Sequence, residues 1–128
     1  MTMKRGALVG AMVLCSAIVA VAHHGQVGLF DESRTVNLKG TVKRWSFSNP
    51  HPILILEAPD AKGVPIEWDV YFGPGAVSSL RRQGFSAETF KTSEALVVTG
   101  HPATNGAPGV DVLGKGTGVV RAYGRAAP

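Results

Sequence analysis

Val36, Leu38, Gly40 and Val42 recur at every second position, with Asn37, Lys39, Thr41 and Lys43 between them. That period of two predicts a half-buried strand. Trp45 and Phe47 continue the apolar set one step out of phase, which predicts a bulge near Lys43-Arg44 and a long, bent first strand. Ile53-Leu54-Ile55-Leu56 reads as a second strand buried on both faces, followed by the turn Pro59-Asp60-Ala61-Lys62-Gly63. Ile66, Trp68, Val70 and Phe72 alternate with Glu67, Asp69 and Tyr71 as a third strand, which Gly73-Pro74-Gly75 stops. Val77, Leu80 and Arg81 lie at helical spacing ahead of Gly84, so Ala76 to Gln83 predicts a short helix with a glycine cap. Ser86 with Thr89 adds a turn running to Phe90. Ala95 to Thr99 is the fourth strand and Val110 to Leu113 the fifth, extended past a glycine-rich bend by Val119-Val120.

Three strands, a helix and two strands is the connectivity of a five-stranded OB-like barrel, an all-β fold whose short helix between strands 3 and 4 plugs one end. Closure removes sheet edges. The pattern places Val42, Ile55, Trp68, Val70, Leu80 and Val98 in one core. Sixteen Gly and 8 Pro in 128 residues fit short strands and many turns, and argue against a helical bundle. With 45% hydrophobic and 17% charged residues, the chain matches neither a disordered nor a multi-span membrane protein.

The N-terminus changes how the charge is read. Lys4 and Arg5 precede an apolar run from Ala7 to Val19, and Ala20-Val21-Ala22 is an A-x-A cleavage site, together a secretory signal peptide. The expected organisation is signal peptide 1–22, a polar leader 23–35 holding the histidine pair and Phe30-Asp31, and a barrel domain 36–128, periplasmic after cleavage and without a stable membrane span. Removing Lys4 and Arg5 leaves 11 basic residues against 9 acidic ones, scattered without a stripe. A phosphate-backbone binder needs clustered cations, so nucleic acid is excluded as a partner. The single Cys15 leaves with the signal, and the mature domain has no thiol chemistry.

His23-His24-Gly25, Phe30-Asp31, Gly40-Thr41-Val42, Trp45, Asn49-Pro50-His51 and Thr99-Gly100-His101-Pro102 together resemble an exported bacterial family, domain of unknown function 6152. Leu80-Arg81-Arg82-Gln83-Gly84-Phe85 is similar to that family's Arg-Arg-Gly-Trp helix end, with Phe85 as the aromatic. The resemblance implies an exported β-rich domain and supplies no activity.

Candidate chemistry centres on four histidines, His23, His24, His51 and His101. Cleavage after Ala22 would make His23 the terminal residue, so its amine and ring could chelate one metal while His51 or His101 completes an all-nitrogen site. Such donors without thiolate suit copper(II). Pro50 and Pro52 stiffen His51, and Gly100 and Pro102 flank His101. The arrangement resembles the histidine brace of copper oxygenases, and it requires Phe30 to anchor the leader near the Asn49-Pro50-His51-Pro52 turn. The plainer reading makes the His pair a polar leader and His51 a turn residue.

Weaker signals remain. Gly109 to Lys115 matches the first part of a P-loop, but Gly116 stands where Ser or Thr is required. Glu67 and Asp69 share one face of a strand and could form a carboxylate pair, against the simpler reading of a solvated face. No G-x-S-x-G occurs. Trp45, Phe47, Trp68, Tyr71 and Phe72 could line a ligand groove on the barrel face, against the plainer reading of core residues at alternating spacing, and about two of the five are expected to be exposed. Three functions follow: a non-catalytic binding module for a small ligand or periplasmic protein, a copper-binding protein, and an accessory subunit of a periplasmic oxidoreductase.

Overall fold

In the computed structural model, which describes residues 29–73 and 76–122, one long strand serves two neighbours. The elements in chain order are β1 (Val36–Ser46), β2 (Ile53–Pro59), β3 (Pro65–Tyr71), α1 (Ala76–Arg82), β4 (Ala95–Pro102), β5 (Gly109–Asp111) and β6 (Gly118–Arg121). The second half of β1 pairs antiparallel with β2, from Thr41↔Glu57 to Ser46↔Ile53. Its first half pairs antiparallel with β4, from Val36↔Gly100 to Thr41↔Ala95. β2 continues antiparallel to β3, β3 runs parallel to β5, and β5 returns antiparallel to β4. The circuit β1-β2-β3-β5-β4-β1 closes a five-stranded OB-like barrel. β6 pairs with β4 at Leu96 to Thr99 while β5 pairs with it at His101 and Pro102, so the last barrel strand comes in two pieces.

The phase slip of Trp45 has its expected cause. Pairing jumps from Val42↔Leu56 to Arg44↔Ile55, which leaves Lys43 as the extra residue of a bulge. Beyond the bulge Trp45 turns inward against Phe47, Phe72, Phe85 and Phe90, with ring centroids 5.0–6.5 Å away. Its Nε1 donates to the Ser86 carbonyl at 2.8 Å. At Gly40 the strands approach so closely that any Cβ would overlap the Glu57 carbonyl, which excludes a side chain there.

The interior is filled by Val42, Leu54, Leu56, Val70, Leu96, Val98 and Val110, all fully buried. Each contributes about 1.5–3 kcal/mol relative to exposure. Val42, Val70, Leu80 and Val98 lie in this core as expected, whereas Ile55 and Trp68 are only partly buried. β2 obeys strict alternation: Leu54, Leu56 and Ala58 point in, which turns Ile53 and Ile55 outward. It is therefore not buried on both faces. Trp68 sits opposite Leu56 in the part of β3 that β5 does not pair with, packs against the core as a half-buried residue, and donates Nε1 to the Ala58 carbonyl at 3.2 Å.

α1 ends one residue short of Gln83. Gly84 adopts φ +93°, Phe85 N donates to Leu80 O at 3.0 Å, and Gly84 N donates to Arg81 O at 3.1 Å. That is a glycine-terminated helix end in which two orphan carbonyls are satisfied. Ala76, Val77 and Leu80 form its buried face.

Candidate functional site

The β4–β5 loop (103–108) is set by local turn chemistry. Asn105 Oδ1 accepts from Ala107 N at 3.0 Å, and Gly106 takes φ +78°. Ala103 N donates to Gly109 O at 3.1 Å, and Asp69 N reaches Pro108 O at 3.0 Å, so the loop folds over the outer face of β3.

The polar leader docks on the same loop. Phe30 forms an antiparallel bridge with Ala103. Asp31 N donates to Pro102 O, and Thr104 N donates to Leu29 O, both at 2.9 Å. The Phe30 ring stacks on Tyr71 with centroids 5.5 Å apart and planes 19° from parallel. Phe30 therefore anchors the leader at the β4–β5 loop, whereas a brace through His51 requires it beside the Asn49-Pro50-His51-Pro52 turn.

Loop, leader and strand enclose a cleft of about 230 Å³. Leu29 and Phe30 form one wall, Asp69 and Tyr71 the floor, and Ala103, Asn105, Ala107 and Pro108 the other wall. A shallower hollow of about 520 Å³ lies beside Glu94 and Arg121. Its central charges are engaged with each other: Arg121 Nε meets Glu94 Oε1 at 2.7 Å, and Arg121 Nη2 donates to the Thr89 carbonyl at 2.7 Å. The smaller cleft combines apolar walls with a few polar groups, the composition of small-ligand sites.

The histidines separate. His51 is exposed in the β1–β2 loop. His101 is 4% exposed at the end of β4. Its Nδ1 lies 2.7 Å from the Arg34 carbonyl, which can only accept, so Nδ1 carries the proton. Its Nε2 lies against Gly114, where any Cβ would overlap it. His23 and His24 lie outside the described residues. Among the described residues no group of three or more His, Cys, Asp or Glu is placed to hold a metal ion.

Carboxylates at this end of the barrel have distinct surroundings. Hydrogen bonds from the Ser33 hydroxyl and amide hold the Asp31 carboxyl below the usual carboxylate range. Burial pushes the Asp111 carboxyl up, opposed by the Leu113 amide at 2.9 Å and by His101, its partner across the ladder. Glu67 and Asp69 share the outer face of β3 but line different hollows: Glu67 lies with Lys43, Arg44 and Ile55, and Asp69 in the cleft. The P-loop-like stretch begins as β5, and no helix follows it among the described residues. Of the five aromatics, Phe72 is buried and Trp45, Phe47, Trp68 and Tyr71 are half-buried. Tyr71 is the one that lines the cleft. The loop 103–108 carried no functional signal in the sequence beyond the turn pair Asn105-Gly106.

The model of a family of unknown function (DUF6152) matches residues 10–111, and the chain belongs to that family. No curated protein and no solved structure matches the chain.

Proposed function

We propose that this DUF6152 member is an exported periplasmic binding module that holds a small ligand in the cleft over β3 and performs no chemistry of its own. The cleft carries the reading. Three segments far apart in sequence converge on it, and it lies where β3 meets the β4–β5 loop, the region this barrel type uses for ligands. Its volume of about 230 Å³ falls below the roughly 300–1,000 Å³ of drug-sized sites, which suits a compact ligand. Export is supported by Lys4, Arg5, the apolar run and Ala20-Val21-Ala22.

Two measurements test this. Mass spectrometry of the processed protein should give a chain beginning at His23. A small-fragment screen followed by amide NMR shifts should move Tyr71, Asn105 and Gly109 first. Hits confined to another surface, or a retained signal peptide, would overturn the reading.

A further inference from the structure

The charges around the cleft say which ligand class it accepts. Asp31 follows Phe30 in the chain and Asp111 pairs with Tyr71 across the sheet, but neither lines the cleft, and each carboxylate is hydrogen-bonded, Asp31 by Ser33 and Asp111 by Leu113 N. Asp69 is different. It is exposed, and it belongs to neither of the ion pairs among the described residues, Lys43 with Glu57 and Arg121 with Glu94. No lysine, arginine or histidine lines the cleft among the described residues. Asn105 commits Oδ1 to Ala107 N, so that oxygen is already engaged within the loop.

Resting on the binding-module reading above, we propose that the cleft binds a small organic cation, an ammonium or amidinium group on an apolar or aromatic body. The Asp69 carboxylate is its counter-ion, and the Phe30 and Tyr71 rings pack against the body. An uncompensated carboxylate repels phosphates and carboxylates, while aromatic rings attract a cation and cover its hydrocarbon. Acidic ligands and nucleotides are disfavoured for the same reason.

The test uses three phenyl probes of different charge, benzylammonium, benzyl alcohol and benzoate, titrated into the exported, processed protein and followed by amide NMR shifts at Tyr71, Asn105 and Gly109. Benzylammonium should bind about tenfold more tightly than benzyl alcohol, and benzoate more weakly than either. Asp69→Asn, isosteric and exposed, should erase the difference between cation and alcohol. Glu67→Gln, two residues along the same face but in another hollow, should leave it intact.

Equal binding of the three probes in the cleft would overturn the cation assignment and leave the cleft as a binding site. Cation preference that survives Asp69→Asn would overturn Asp69 as counter-ion. Absence of cleft shifts with every probe at about 10 mM, weaker than the millimolar floor of useful affinity, would overturn both readings.

Discussion

His101 and Arg34, 67 positions apart, are joined by a 2.7 Å hydrogen bond from the imidazole Nδ1 to the backbone carbonyl. The bond ties the segment ahead of β1 to the end of β4, just where β5 takes over the pairing. Removing the ring in His101→Ala leaves the carbonyl without its donor and opens a void in a buried position. The expected cost is about 2–5 kcal/mol. Asn places a donor near the position of Nδ1, so His101→Asn should recover part of the loss. Urea unfolding midpoints decide: an unchanged midpoint in His101→Ala would deny the ring a structural role.

Gly114 follows from the same pair. Its Cα faces the imidazole Nε2 with no room for a methyl group, so Gly114→Ala should cost about 1–3 kcal/mol by overpacking. In a His101→Ala background the clash has no partner. The second substitution should then cost little, and the double-mutant cycle should show strong coupling. Additive costs would mean that the backbone at Gly114, and not the ring, sets the penalty.

The two tryptophans are not equivalent. Trp45 touches four phenylalanines and donates to Ser86 O, whereas Trp68 covers the core edge. Trp45 is half-buried like Trp68, but its ring contacts and its Nε1 bond are lost together in Trp45→Ala, which should cost about 3–5 kcal/mol. Trp68→Ala should cost clearly less. Equal losses by denaturant titration would show that the rim is as tightly packed as the plug.

That contrast marks how far the sequence could be read. The slip in phase at Trp45 betrayed the bulge at Lys43 because a period-two pattern has no other way to change face. Gly84 and the order of apolar runs likewise disclosed the helix end and the barrel connectivity. Trp68 misled because alternation assigns a face, not a depth, and the pairing of β5 with β3 begins only at Asp69, which leaves Trp68 half-buried. The cleft was hidden for a different reason. Leu29, Asp69 and Asn105 are each ordinary surface residues, and only the pairing of Phe30 with Ala103 and of β3 with β5 brings them together. The stack of Phe30 on Tyr71 fixes where the leader docks.

Asp111 and Asp31 should respond to pH with opposite sign. Burial raises the Asp111 carboxyl, so the fold binds that proton more tightly than the unfolded chain does. Its ionisation therefore removes stability as pH rises from the ordinary value of 3.8 through the raised one. Asp31 is lowered, and its contribution is present above 3.8 and lost as pH falls through the lowered value. Asp111→Asn keeps an oxygen for Leu113 N and removes the ionisation. It should match or exceed the parent's stability at about pH 7, with the gain disappearing at about pH 3. A variant weaker than the parent at neutral pH would show that attraction to His101 outweighs the burial cost.

Phe30 is held by its ring on Tyr71 and by backbone bonds on both sides, from Asp31 N to Pro102 O and from Thr104 N to Leu29 O. It belongs to no barrel strand, and its removal leaves the circuit of β1 to β5 intact. Phe30→Ala should therefore detach the leader without unfolding the barrel. The stack and its burial are worth about 1–3 kcal/mol together, enough to raise the local opening population by roughly ten- to a hundredfold. Amide exchange at Asp31 and Thr104 should accelerate by that factor while Val42, Val70 and Val98 keep the parent's protection. The cleft loses a wall in the same step, so benzylammonium binding should weaken about tenfold although Asp69 is untouched. Uniform acceleration across the barrel would make Phe30 part of the folding core, and unchanged exchange at Asp31 would show that the backbone bonds alone hold the leader down.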